Sequence, residues 1–115
     1  MSSIEIKEFS FLYLIINNLE LVKNNLNLLE NVKLFSSENK IIYDSLLKEL
    51  QNNHALSKND LSLDPQILDK ITQFASIKHI LNKTENDEYK TIELLEEIIG
   101  DIKNHELEAR IEKLE

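Results

Sequence analysis

The 115-residue sequence has no cysteine, one glycine and one proline. Without cysteine there is no disulfide framework, no thiolate nucleophile and no cysteine-based zinc site, which fits a reducing compartment and makes a cytoplasmic location the expectation. Scarcity of glycine and proline argues against a β-rich fold, whose many turns draw on both residues. A lone glycine, with no Gly-Lys-Ser sequence, also excludes both glycine-rich nucleotide-binding fingerprints. The longest apolar run, Phe11 to Ile16, is far shorter than the ~20 residues of a membrane span, and no basic region precedes it as in a signal peptide. A soluble chain with no membrane partner is expected.

Clustered positive charge is missing too. The net charge is −8, and residues 1–83 carry ten acids against nine bases, whereas residues 84–115 carry eleven acids against four. Nearly all of the excess therefore lies in the last third. A nucleic-acid binder needs grouped Lys and Arg to displace phosphate counterions. Here the field repels a phosphate backbone, so direct nucleic-acid contact is not expected and another protein is the expected partner.

What the sequence does hold is apolar residues in helical rhythm. They are almost continuous over residues 4–16, which predicts a central buried helix, although periodicity alone leaves a buried strand open for Phe11 to Ile16. Asn17-Asn18 breaks that run. Leu19, Val22, Leu26 and Leu29 then recur at three- and four-residue steps as one helical stripe. Ser36-Ser37 before Glu38 offers an N-cap and a first-turn carboxylate, and Ile42, Leu46 and Leu50 mark the helix that follows. Ser57 to Asp60 has capping-box spacing. Asp64-Pro65 is a firmer start, with a capping carboxylate and proline at the first helical position. Ile67, Ile71, Phe74 and Leu81 mark the buried face after it.

Thr84 to Glu88 is a strongly polar break, with Thr84 and Asp87 again at capping-box spacing. It is the expected boundary between a bundle over residues 1–83 and a long acidic helix over 84–115. In that helix Ile92, Leu95, Ile99 and Ile102 keep one rhythm. Leu107, Ile111 and Leu114 resume it after five residues, a turn of roughly 140° at ~100° per residue. The helix is thus expected either to show two faces or to bend at Gly100. The fold class expected is all-α: a small helical bundle followed by a long C-terminal helix.

Catalytic chemistry finds no frame. His54, His79 and His105 are too far apart for zinc-protease or di-iron spacing and read as solvated or helix-end residues. Glu93, Glu96, Glu97 and Asp101 share one helical side and read as a solvated face. No metal, cofactor or enzymatic activity is expected. The stripe Leu107, Ile111 and Leu114 has two readings: packing on the bundle or on a second copy, or docking in a partner's groove with rim charges setting orientation.

Four segments together resemble the C-terminal helicase-binding domain of bacterial DnaG-type primases. They are the opening helix Phe9 to Ile16 ending at Asn17-Asn18, the stretch Phe35 to Leu50 beginning Phe-Ser-Ser, the stretch Leu63 to Ile80, and the acidic-led long helix closing on Leu107-Glu-Ala-Arg-Ile-Glu-Lys-Leu114. The resemblance implies a protein-interaction domain that docks on the N-terminal domains of the hexameric replicative DNA helicase and couples primer synthesis to unwinding. It also implies that the long helix is part of a helical hairpin. Family members continue through a turn into a returning helix, whereas this sequence stops at Glu115, which implies a short hairpin or an excised piece. The residues expected to meet the partner are Leu95, Ile98, Ile102, Leu107, Arg110, Ile111 and Leu114, and the isolated chain is expected to pair as a homodimer through this helix. Two other readings stand beside it: the N-terminal helical domain of the replicative helicase itself, and an unrelated helical adaptor or coiled-coil protein.

Overall fold

The computed structural model describes residues 2–52, 57–75 and 87–114, with side chains described as far as Ile111. His54, His79, Leu81 and Thr84 lie outside the described residues. Five α-helices follow in order: α1 Ser3–Ile16, α2 Leu19–Lys23, α3 Ser37–Gln51, α4 Pro65–Phe74 and α5 Glu88–Leu114. Among the described residues there is no strand, and no helix is long and apolar enough to cross a membrane.

The central element is α1. Phe11, Leu12, Leu14 and Ile15 are fully buried, because α3, α4 and α5 all pack against this helix and leave it little solvent face. A helix surrounded in this way must be apolar nearly all round, which is why its sequence lacks amphipathic periodicity. Its start is a reciprocal capping box: the Glu5 amide donates to Ser2 Oγ at 3.3 Å, and the Ser2 amide donates to Glu5 Oε1 at 3.4 Å. Its end is set by asparagine. Asn17 Nδ2 donates to the Tyr13 carbonyl at 2.8 Å, which also accepts the Asn17 amide, and Asn18 Nδ2 donates to the Leu14 carbonyl at 2.9 Å, so both side chains turn back on the last turn of the helix.

Asn25 repeats the device on the Leu21 carbonyl, so the stripe Leu19 to Leu29 is not one helix. It divides into α2 and a 3-10 turn, Leu26–Leu29, with Leu19, Val22 and Leu29 still in the core. Asn31 then takes a left-handed φ of 63°, a conformation that asparagine tolerates better than most residues, and redirects the chain toward α3. Asp64 caps α4 as its sequence predicts, accepting from the Gln66 amide at 2.8 Å with Pro65 at the first helical position. At the far end of α4, Phe74 meets Phe9 with ring centroids 5.7 Å apart. The start of α5 is capped by Asp87, whose Oδ1 accepts from the Lys90 amide at 3.1 Å.

The proposed division at residues 83 and 84 needs correction. Leu95, Ile98, Ile99 and Ile102 of α5 are buried in the same core as Ile4, Phe9 and Leu12, so the first half of α5 is a wall of the bundle and not an appendage. Helix α5 runs unbroken through Gly100, where an added Cβ would meet no atom of the described residues within 4 Å. Its 27 residues give a rod of about 40 Å at ~1.5 Å per residue, which accounts for the 45 Å long axis of the molecule.

Tyr43, buried on α3 with its ring centroid 5.4 Å from that of Phe11, donates to the Leu29 carbonyl at 3.4 Å. Burial, reinforced by the neighbouring Asp44 charge, pushes its phenol up to about 12. An ordinary phenol titrates near 10, so between about pH 10 and 12 the folded chain keeps a proton that the unfolded chain has lost. The contribution is complete below pH 10 and is lost as pH rises through 12. We expect stability to fall by roughly 2 kcal/mol over that window, on the order set by the shift. Urea unfolding of wild type and Tyr43→Phe across the window checks this: the substitution should remove that share of the alkaline slope, and equal slopes would refute it.

Candidate docking surface

Each residue along α5 advances the side-chain direction by ~100°, so with Ile102 facing the core, Leu107 and Ile111 point away from it. They are 56% and 50% exposed. The core-facing side of these last turns is not empty, however. His105 lies on it, half-buried, with its ring edge-on to Phe35 at 4.9 Å and 82°. His105, expected to be a solvated or helix-end residue, packs its ring on Phe35.

Phe35 reaches this position through an extended segment. Over residues 32–35 side chains alternate inward and outward: Val32 and Leu34 enter the core while Lys33 and Phe35 face out. The segment is held from beneath by Glu8, a fully buried acid on α1. Its Oε2 accepts from the Phe35 amide, and its Oε1 accepts from the Ser36 amide at 3.3 Å and from Asn39 Nδ2 at 3.2 Å. Ser36, the N-cap of α3, makes no capping bond through its own side chain, so the expected serine cap is replaced by a carboxylate from another helix.

Phe35 and His105 wall a groove of about 360 Å³ floored by Ile4, Leu34, Ile102 and Ala109. Lys33, Lys40, Arg110 and Glu106 form its rim. Arg110 donates to Glu106 at 2.8 Å, which leaves the two lysines in excess and gives the rim a sign opposite to the chain's net charge. A second depression beside it, lined by Asn31, Lys33, Lys103, Leu107 and Arg110 among others, extends the basic strip. The arrangement can hold an apolar side chain against Phe35 while lysines meet carboxylates.

Of the residues expected to meet a partner, Leu95, Ile98 and Ile102 are core residues and cannot be part of a free surface. Leu107, Arg110 and Ile111 are exposed, and the side chain of Leu114 lies outside the described residues. Glu93, Glu96 and Glu97 are solvated as expected, while Asp101 is bound to Lys7 at 3.1 Å. Among the described residues no three acidic or histidine side chains converge on a metal site. Sequence reasoning missed Phe35, Lys33, Lys40 and Glu8. The signal for Glu8 was present: a lone acid inside an apolar helix must find donors when buried. Phe35 gave none, because three residues of alternation are too few to separate from chance. Compared with protein-family profiles, with curated proteins and with solved structures, the chain matches none.

Proposed function

We propose that this chain is a protein-docking module that receives its partner in the groove walled by Phe35 and His105. The observation that carries this is Phe35 itself: a large aromatic 64% exposed, on a backbone anchored to a buried carboxylate, beside an apolar floor. A few anchors in well-packed pockets, aromatic residues often among them, carry most of the binding energy of protein interfaces. The lysine rim favours a partner segment of acidic character and speeds its encounter.

The resemblance to primase C-terminal domains supplies the narrower reading, in which the partner is the N-terminal domain set of the hexameric replicative helicase. The module then tethers the primer-synthesising enzyme to the fork and does no chemistry itself. Binding to the replicative helicase of the same organism, measured by calorimetry, tests it. The intact chain should bind, and Phe35→Ala with Lys40→Glu should weaken binding at least tenfold, about 1.4 kcal/mol. The melting temperature should barely move, since both side chains are exposed. No binding by the intact chain refutes the helicase reading; binding indifferent to the double substitution refutes the groove.

A further inference from the structure

We propose that two copies of this chain pair in parallel through the outward face of the last turns of α5. Its apolar residues, Leu107 and Ile111, do not line the groove walled by Phe35 and His105, although Arg110 flanks both surfaces, so the two proposals are tested by different substitutions.

In heptad register, Asn104 and Ile111 occupy the a positions, and Gly100, Leu107 and Leu114 the d positions. Asn104, Leu107 and Ile111 are all exposed, on the side of α5 opposite its buried residues. Ile at a with Leu at d favours two strands, and a single Asn at a is the device that fixes register in parallel dimers. The flanks decide orientation. Lys103 and Arg110 stand at g, and Asp101 and Glu108 at e. A parallel pair sets each g beside the partner's following e, which joins Lys103 to Glu108 across the interface. An antiparallel pair would set bases against bases and acids against acids.

Toward the N-terminus the register fails, since Glu93 and Glu97 would fall at d and a and repel their counterparts. Gly100 marks that limit. Glycine costs ~1 kcal/mol against alanine inside a helix, and among the described residues no atom lies within 4 Å of where its Cβ would stand. With a second helix packed against it, its missing side chain would permit close approach. A pairing stretch of about two heptads is normally too short to form helix and dimer together. Here the core holds the first half of α5 in place, so the second half is presented already ordered and association does not bear the full cost of folding it.

Sedimentation equilibrium from low micromolar to millimolar protein tests the proposal. Wild type should pass from monomer to dimer across that range. Leu107→Ala with Ile111→Ala should stay monomeric throughout with an unchanged melting temperature, because both side chains are half or more exposed. The chain has no cysteine, so Asn104→Cys reports orientation cleanly. Opposed a positions in parallel register lie within disulfide reach, and oxidation should give a covalent dimer. A wild type that stays monomeric at millimolar concentration overturns the proposal, as does a dimer that survives the double alanine or an Asn104→Cys chain that does not cross-link. A dimer lost on Phe35→Ala instead would mean that the second copy sits in the groove, which also overturns it.

Discussion

Ending the chain at Lys83 is expected to abolish cooperative folding, although the polar break there looks like a domain boundary. The fragment would lose Leu95, Ile98, Ile99 and Ile102, all buried against α1 or its neighbours in the one core. Each is worth roughly 1.5 to 3 kcal/mol of burial, some 6 to 12 kcal/mol together, against a total stability of ~5 to 15 kcal/mol for a domain. The loss is larger still in practice, because α1 would be left with its α5-facing side chains in water. A chain ending after His105 keeps all four residues and should still unfold in one sharp transition. Near-ultraviolet circular dichroism and thermal melts of the two truncations separate the cases. A native-like, sharply melting 1–83 fragment would restore the appendage reading.

That boundary shows where sequence stops being informative. The break at Thr84 to Glu88 is a local signal for a helix start, but the helix begins at Glu88 with Asp87 as its cap, one turn later than the Thr84 capping box predicts. Whether that helix stands off or packs is decided by the shape of a core that no local pattern describes. The apolar positions of α5 were equally compatible with a partner's surface and with α1, since burial by one's own chain and burial by another place the same demand on a side chain. Terminus signals fared better. Asn17-Asn18 and Asp64-Pro65 act within four residues through bonds to nearby backbone, so they are legible without tertiary knowledge. The five-residue gap after Ile102 was legible for the same reason: helical geometry alone turns Leu107 away from whatever Ile102 faces, and the helix runs straight through Gly100 with one face in the core and another in solvent.

The groove was not legible, because it is assembled from the start of α1, the segment before α3 and the end of α5, and its key contact spans 70 positions from Phe35 to His105. The two faces of the last turns of α5 now have distinct chemistry. The inner face, with His105 and Ala109, belongs to a basic-rimmed groove, and the outer face, with Leu107 and Ile111, carries opposite charges on its two flanks.

Replacing Glu8 should be the most damaging single substitution in the chain, and its effect should reach the docking surface. Its carboxylate takes three N–H donors, two of them backbone amides at the entry to α3, where the helix dipole also favours negative charge. Glu8→Ala removes all three acceptors, leaves those groups buried without partners, opens a cavity beside Phe11 and Leu12 on the same helix, and should cost about 3 to 5 kcal/mol. Glu8→Gln is the sharper probe. It keeps the volume and one oxygen but turns an NH₂ toward groups that are themselves donors, and should cost about 1 to 3 kcal/mol. In a chain that still folds, the segment carrying Lys33 and Phe35 would then be held by packing alone. Hydrogen exchange at the Phe35 and Ser36 amides should rise well beyond the global loss of stability, and partner binding should weaken although Glu8 touches no partner. If Glu8→Gln leaves those two amides protected as in wild type, the carboxylate does not hold the segment, and the account of why Phe35 stands where it does fails with it.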